Sequence, residues 1–300
     1  MASKNRRTTI HSEIEVNSNS GTALNFGHIQ RASTSIANNV ITFHALGNGA
    51  QPKGTLAGMA EISGTIEWLP VRGDETVIIG SKSGTNTWSV TPKDTLEEYI
   101  FKGQIDSTHY AAINDVKFGK FSMSAAKDEI LSMSTDFKGK AMEIKAGTVS
   151  TETTTKEPFI FLDGSVKLGS IGTIGSVSNF AIDYDRELVA AKGIEDTTGS
   201  AKRQPTDILE KTAEITFRSD IEVTGTGPWK EALGGAQMSE NLPSITAEVN
   251  FASKSGNTLK AKVTGLTIDN FSEDENVGGD IIVASIDGKG TGIKLSGTYA

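Results

Sequence analysis

Cysteine is absent from the 300 residues. That single absence excludes a disulfide framework, a thiolate metal site and a cysteine nucleophile, while leaving the compartment open. Apolar runs stop at three or four residues, as in Val77-Ile78-Ile79, whereas a membrane-spanning helix takes about 20. The opening stretch MASKNRRTTIHSEIEV is basic but has no apolar segment of the roughly 7–15 residues that a secretory leader uses, so none is expected. Aromatic residues are scarce at 6%, which argues against deep aromatic pockets. The 7 prolines are too few for a disordered Pro/Gly/Ser linker. The formal net charge of −8 speaks against binding nucleic acid by neutralising its phosphates.

Glycine, serine and threonine together supply 94 of the 300 residues, a composition suited to many short strands joined by tight turns. The length accommodates two domains of roughly 150 residues. Charge divides unevenly between the halves. Residues 1–157 carry 16 Lys/Arg against 17 Asp/Glu, and residues 158–300 carry 13 against 20, so the acid excess of −7 belongs to the second half. Its densest part is Glu273, Asp274, Glu275 and Asp280, readable as a solvated acidic loop or as a negatively charged functional surface.

The chain repeats itself. Leu56-Ala-Gly-Met-Ala-Glu-Ile-Ser63 lies over Leu209-Glu-Lys-Thr-Ala-Glu-Ile-Thr216 at a spacing of 153. Glu129-Ile-Leu-Ser-Met-Ser-Thr-Asp-Phe-Lys-Gly139 lies over Asp280-Ile-Ile-Val-Ala-Ser-Ile-Asp-Gly-Lys-Gly290 at 151, with five of eleven positions identical. Two matches in the same order at nearly one spacing indicate a duplicated unit of about 150 residues.

The matched segments read as strands. Ala60–Trp68, Val116–Ser124, Ala213–Glu222, Ser244–Phe251 and Leu259–Ile268 are short, β-branched and mostly alternating. Ser253-Lys-Ser-Gly-Asn257 is a turn cluster that makes the last pair a hairpin. Pro228–Leu233 followed by Gly234-Gly235 reads as a short helix, and Thr95–Phe101 as a helical turn or a strand. The expected organisation is all-β, with at most one short helix per repeat: an extended arm over 1–27, a first β domain over 28–146, a Thr-rich linker over 147–157 and a second β domain over 158–300.

Catalytic chemistry finds little material. There is no G-x-S-x-G turn, and His11, His28, His44 and His109 all fall in the first half without metal-binding spacing. Gly169-Ser-Ile-Gly-Thr-Ile-Gly175 lacks the Lys-Ser/Thr of a phosphate-cradling loop. Asp274-x-Asn276-x-Gly278 opens like a calcium loop but has Ser285 at the twelfth position, where such loops place Glu. Asp183-Tyr-Asp-Arg-Glu187 is expected to make strand-end ion pairs. Lys117-Phe-Gly-Lys-Phe121 alternates as a strand with one buried face does. No catalytic residue, metal site or cofactor is expected.

Three features carry a resemblance. They are the strand Val177–Asp185 followed after a loop by Pro205–Phe217, the first-half counterpart ending at Thr55–Glu67, and the repeated close Phe118–Gly139 and Val263–Gly290. Over roughly residues 28–297 the chain resembles the major tail tube proteins of tailed phages, in the long form with two tandem tube domains. The resemblance implies two β-sandwich or half-barrel domains whose inner sheets join into a barrel around a channel. It implies rings of three copies, pseudo-sixfold, that stack into a tube through which DNA passes without specific binding. It further implies location in the virion tail after assembly in the host cytoplasm, contact with tape measure and tail terminator or baseplate proteins, no membrane partner and no enzyme activity. Glu273, Asp274, Glu275 and Asp280 would then face the bore or an adjacent ring. Residues 1–27 would reach a neighbouring subunit, and Ile62, Ile66, Ile215 and Phe217 would sit on strands that pair between subunits. An acidic wall repels DNA phosphate and so suits a conduit.

Two other classes remain open. A two-domain β-sandwich adhesin or carbohydrate-binding protein would expose aromatics in a groove, with Trp68, Trp88 and Trp229 the available tryptophans. A glycan-active or proteolytic enzyme would need the constellation that is missing.

Overall fold

A computed structural model describes residues 3–11, 13–19, 21–43, 54–149, 155–161, 165–169, 172–174, 177–191, 203–223, 242–275 and 282–299. The described backbone is β throughout, with 3-10 turn at Asp74–Ile79. Alternation along each strand becomes two-faced burial: in Ser132–Gly139, Met133, Thr135 and Phe137 are buried and the residues between them are not.

One antiparallel sheet runs the length of the molecule. Its spatial order is β1 (Ser3–Ile10), β4 (His28–Phe43), β5 (Gly54–Leu69), β10 (Ser132–Gly139), the second half of β9 (His109–Ala126), β14 (Val177–Asp185), β17 (Glu214–Val223), β20 (Ile282–Gly290) and the second half of β19 (Thr258–Glu275). Two further sheets complete the sandwich. The first comprises β3 (Ala23–Leu24), β2 (Ile14–Ser18), β8 (Tyr99–Gln104), the first half of β9 and β11 (Ala141–Ala146). The second comprises β13 (Gly172–Ile174), β12 (Ser165–Leu168), β18 (Ile245–Ala252), the first half of β19, β21 (Gly292–Thr298), β7 (Thr87–Pro92) and β6 (Gly80–Ser83). A separate ribbon pairs β15 (Leu188–Ala191) with β16 (Asp207–Glu210).

The duplication is written into the hydrogen-bond register. Ile62 of β5 faces Ile36 and Gly139, and Ile215 of β17 faces Tyr184 and Gly290. The spacings between equivalents are therefore 153 for β5/β17 and 151 for β10/β20, the two values read from the sequence. Bulges repeat as well: Gly119 and Asp269 are the unpaired residues of β9 and β19, and Gln30 and Ser178 those at the start of β4 and β14. The corner where β9 and β19 leave one sheet for the other needs a left-handed backbone. Asp115 supplies it at φ 51 and Gly265, 150 residues on, at φ 63.

Between the layers a single apolar core spans both repeats. Phe101 and Phe137 stack at 4.8 Å in the first, and Phe180 and Phe251 lie 5.5 Å apart in the second. One pair has changed sides: Phe137 lies opposite Gly64 in the first repeat, whereas Phe217 lies opposite Gly288 in the second. A Cβ on Gly64 would run into the Phe137 ring, whereas one on Gly288 would meet Leu266 and Thr267 O, so the two repeats pair a phenylalanine with a glycine on exchanged strands but for different steric reasons.

The stretch 1–27, expected as an extended arm, is instead integrated: β2 and β3 are hydrogen-bonded into the first outer sheet and correspond to β12 and β13. A short polar segment rich in Asn and Ser has too few apolar residues to register as a half-buried strand. In the linker stretch, Val149 is buried and its N–H donates to Gln104 Oε1 at 2.5 Å. Thr95–Phe101 leads into β8, a strand. The first repeat's short helix is a 3-10 turn, and Pro228–Leu233 lies outside the described residues.

Candidate functional site

The intermolecular strand residues expected from sequence are placed differently by the structure. Ile62, Ile66, Ile215 and Phe217 are buried core side chains on β5 and β17, strands with neighbours on both sides within the same chain. Their alternation reports a buried face and carries no information about whether a strand lies at an edge. Glu273, Asp274 and Glu275 form the last three residues of β19, in register with Ala284, Val283 and Ile282; Asp280 lies outside the described residues.

The chain contains one complete joint between repeats. β9 offers its edge to β14 over seven paired residues, from Ala126↔Asn179 to Lys120↔Asp185. Beneath this ladder Glu210, 8% exposed, binds Lys117 Nζ at 2.8 Å, the Leu96 N–H at 3.0 Å and Arg186 Nη2 at 3.2 Å. Lys117 and Leu96 come from the first repeat, and Glu210 and Arg186 from the second. The Gly119 bulge breaks the alternation expected for Lys117–Phe121 and places Phe118 and Phe121 both in the core, while Lys117 is buried on the other face against β16, where its Nζ also donates to Ile208 O at 3.1 Å. A second contact runs across the outer layer, where β7 crosses from the first repeat to pair with β21 of the second. Asn257 Nδ2 donates to Val71 O at 2.9 Å on the same side.

The joint's two counterparts at the ends of the molecule differ. Residues 267–275 of β19, equivalent to the part of β9 that meets β14, have β20 on one side and, among the described residues, no strand on the other. At the opposite end, the β4 edge equivalent to that of β14 is covered by β1, with Ser33–Ala37 facing Ile10, Thr9, Thr8, Arg7 and Arg6.

The solvent face of the shared sheet is polar and charged. Among the side chains described, its first-repeat portion includes Arg31, Lys120 and Lys138 with Glu61, Glu67 and Asp136. Its second-repeat portion includes Asp183, Asp185, Glu214, Asp220 and Asp287 with Arg218 and Lys289, seven residues that together carry −3. These five acids come from three separate strands; Asp183 and Asp185 belong to the stretch expected to make strand-end ion pairs, and Glu214, Asp220 and Asp287 were not singled out in the sequence. Asp183 accepts from Ser122 Oγ at 2.5 Å across the joint, and Arg218 Nε lies 3.1 Å from Asp287.

The described histidines serve packing and turns. His11 is buried, with Nε2 2.7 Å from Thr34 Oγ1 and Nδ1 3.2 Å from Gln104 O, and burial lowers its pKa. His28 Nε2 lies 2.8 Å from Lys156 O, and His109 sits in a turn with Asp106; His44 lies outside the described residues. No group of three or more His, Asp or Glu is arranged to hold a metal ion among the described residues. The most perturbed carboxyl is Glu75, at the start of the 3-10 turn. Burial pushes it up to about 7, although Trp68 Nε1–H donates to its Oε1 at 2.9 Å. Trp68 and Trp88 are buried, so neither lines an exposed aromatic groove; Trp229 lies outside the described residues.

Two equivalent β-sandwiches that share one sheet, with a filled joint between them and its counterpart positions at either end, have the build of a duplicated, all-β structural protein. The family model described as phage tail tube protein matches residues 70–290, nearly three quarters of the chain, and the chain belongs to that family. It is a structural component of a phage tail. No curated protein matches it.

Proposed function

We propose that three copies close into a ring of six wall units and that rings stack head to tail into a tube through which DNA passes at ejection. The observation carrying this is the β9–β14 joint: placing β19 of one copy against β4 of the next repeats within the ring what the chain already does inside itself. Head-to-tail stacking is a heterologous contact and generates an open filament. The sheet's polar face lines the bore, where its acid excess keeps phosphate from adhering. Glu273, Asp274, Glu275 and Asp280 belong to the bore or the adjoining ring. The protein's work is mechanical rather than catalytic. Tape measure and terminator or baseplate proteins meet it inside and at the ends of the tube, and assembly takes place in the host cytoplasm.

β1 has a part in this. It holds five of the seven β4 positions that the joint assigns to a neighbour, so ring closure includes its withdrawal. Its sequence, Ser-Lys-Asn-Arg-Arg-Thr-Thr-Ile, carries the cationic residues that discourage promiscuous pairing at a sheet edge.

Mass photometry of purified protein across a concentration series, with electron microscopy of the same samples, tests the ring. Three chains of 31.7 kDa predict a species of about 95 kDa and tubes of uniform diameter. A strictly monomeric chain at every concentration, with saturable glycan binding, overturns it in favour of an adhesin.

A further inference from the structure

The outer layer holds a second half-filled contact. β11 and β21 are equivalent strands: Ala141 faces Asn114 and Met142 faces Ile113, while Gly292 faces Thr264 and Ile293 faces Val263. Equivalents therefore lie 151 apart, and Ile144 corresponds to Leu295. Their surroundings are opposite. Leu295 is 0% exposed and faces Val90 of β7, which the first repeat sends across to the second. Ile144 is 68% exposed, and among the described residues β11 pairs only with β9.

The cover over β21 is apolar as well as hydrogen-bonded. Trp88 of β7 is buried against Gly297, where a Cβ would come within 2.8 Å of Trp88 Cζ2, and Gly73 lies against Leu259 and Trp88. β11 offers the same ladder edge and the same apolar row without the cover. An isoleucine exposed to this degree on an open strand edge is a pairing surface rather than an ordinary exterior position.

We propose that the β11 edge, centred on Ile144, docks a second copy of this chain. The direction follows from the repeat. The first repeat covers the repeat that comes after it, and in a closed ring the repeat after the second is the first repeat of the next copy. Each joint then has an inner ladder, β19 to β4, and an outer one at β11, as β9–β14 and β7–β21 form one joint within the chain. This rests on the ring proposed above.

A cysteine-free chain makes the test direct. Ile144→Cys creates the sole thiol, and its rate of maleimide labelling is compared between dilute chain and isolated rings or tubes. At so exposed a site the substitution leaves the urea unfolding midpoint at the parent's value. The expected result is labelling slowed at least tenfold in the assembly, with Ile144→Asp folding normally and failing to close rings. Rings that form with the introduced thiol as reactive as in the dilute chain overturn the docking site and leave the ring standing. A parent chain that forms no rings at any concentration overturns both.

Discussion

Glu75→Gln removes a buried carboxyl whose charged form the fold disfavours. The carboxyl is 3% exposed, Trp68 Nε1 donates to one oxygen, and the other, Oε2, has no hydrogen-bond partner. Its pKa stands at about 7 against an ordinary 4.5. The folded state therefore holds a proton that the unfolded state releases. The neutral form's contribution to stability is complete below pH 4.5 and is lost as pH rises through about 7. A difference of about 2.5 units at 1.36 kcal/mol each makes the ionised group cost about 3 kcal/mol at pH 8. Glutamine keeps an acceptor for Trp68 and removes the charge. Urea unfolding at pH 5 and pH 8 should show the parent losing about 2.5 kcal/mol more than Glu75→Gln over that interval, the first part of the loss having occurred below pH 5, with the variant the more stable at pH 8. Parallel losses in the two proteins would refute the assignment, and a variant weaker than the parent at pH 8 would show that the carboxylate is stabilised there.

Glu210→Ala leaves Lys117 and Arg186 buried without their shared anion and should cost about 3–5 kcal/mol in urea unfolding; a loss under about 1 kcal/mol would show that the junction does not depend on it. Gly64→Ala drives a Cβ into Phe137 Cζ and Ser33 O, and overpacking of this kind costs about 1–3 kcal/mol. A thermal midpoint equal to the parent's would contradict the exchanged phenyl–glycine pairing. Deleting residues 1–10 removes a strand bonded along the outer edge of β4 and should speed ring formation in light scattering while the far-ultraviolet spectrum stays β-type. Slower assembly would mean that β1 helps closure rather than guarding the edge.

Local patterns carried much of the fold. The Ala-Glu-Ile and Ile…Ser…Asp…Lys-Gly matches, spaced 153 and 151, fall on strands whose ladder registers repeat with those same spacings. The Ser253–Asn257 turn joins β18 to β19 as a hairpin. What stayed hidden depends on neighbours remote in sequence. Nothing around Ile62 or Phe217 distinguishes a strand paired on both sides from one at an edge. Phe118 and Phe121 both face the core because Gly119 bulges, and Lys117 is buried by Ile208 and Glu210, about 90 residues away. Asp183, Asp185, Glu214, Asp220 and Asp287 form no run, so their common face emerges only when three strands lie side by side. In the sequence Asp183 and Asp185 register as a strand-end pair, and the other three only as part of the second half's −7. Ile144 looks like any strand isoleucine until its equivalent, Leu295, is seen under β7.

An averaged cross-section of the assembled tube tests most directly whether the joint inside the chain is the joint between chains. The prediction is three chains per ring, each contributing eight strands from β4 to β19 to an unbroken inner wall, with β19 of every copy beside β4 of the next. Six chains per ring, or three chains with β1 still lying along β4 at each boundary, would contradict it.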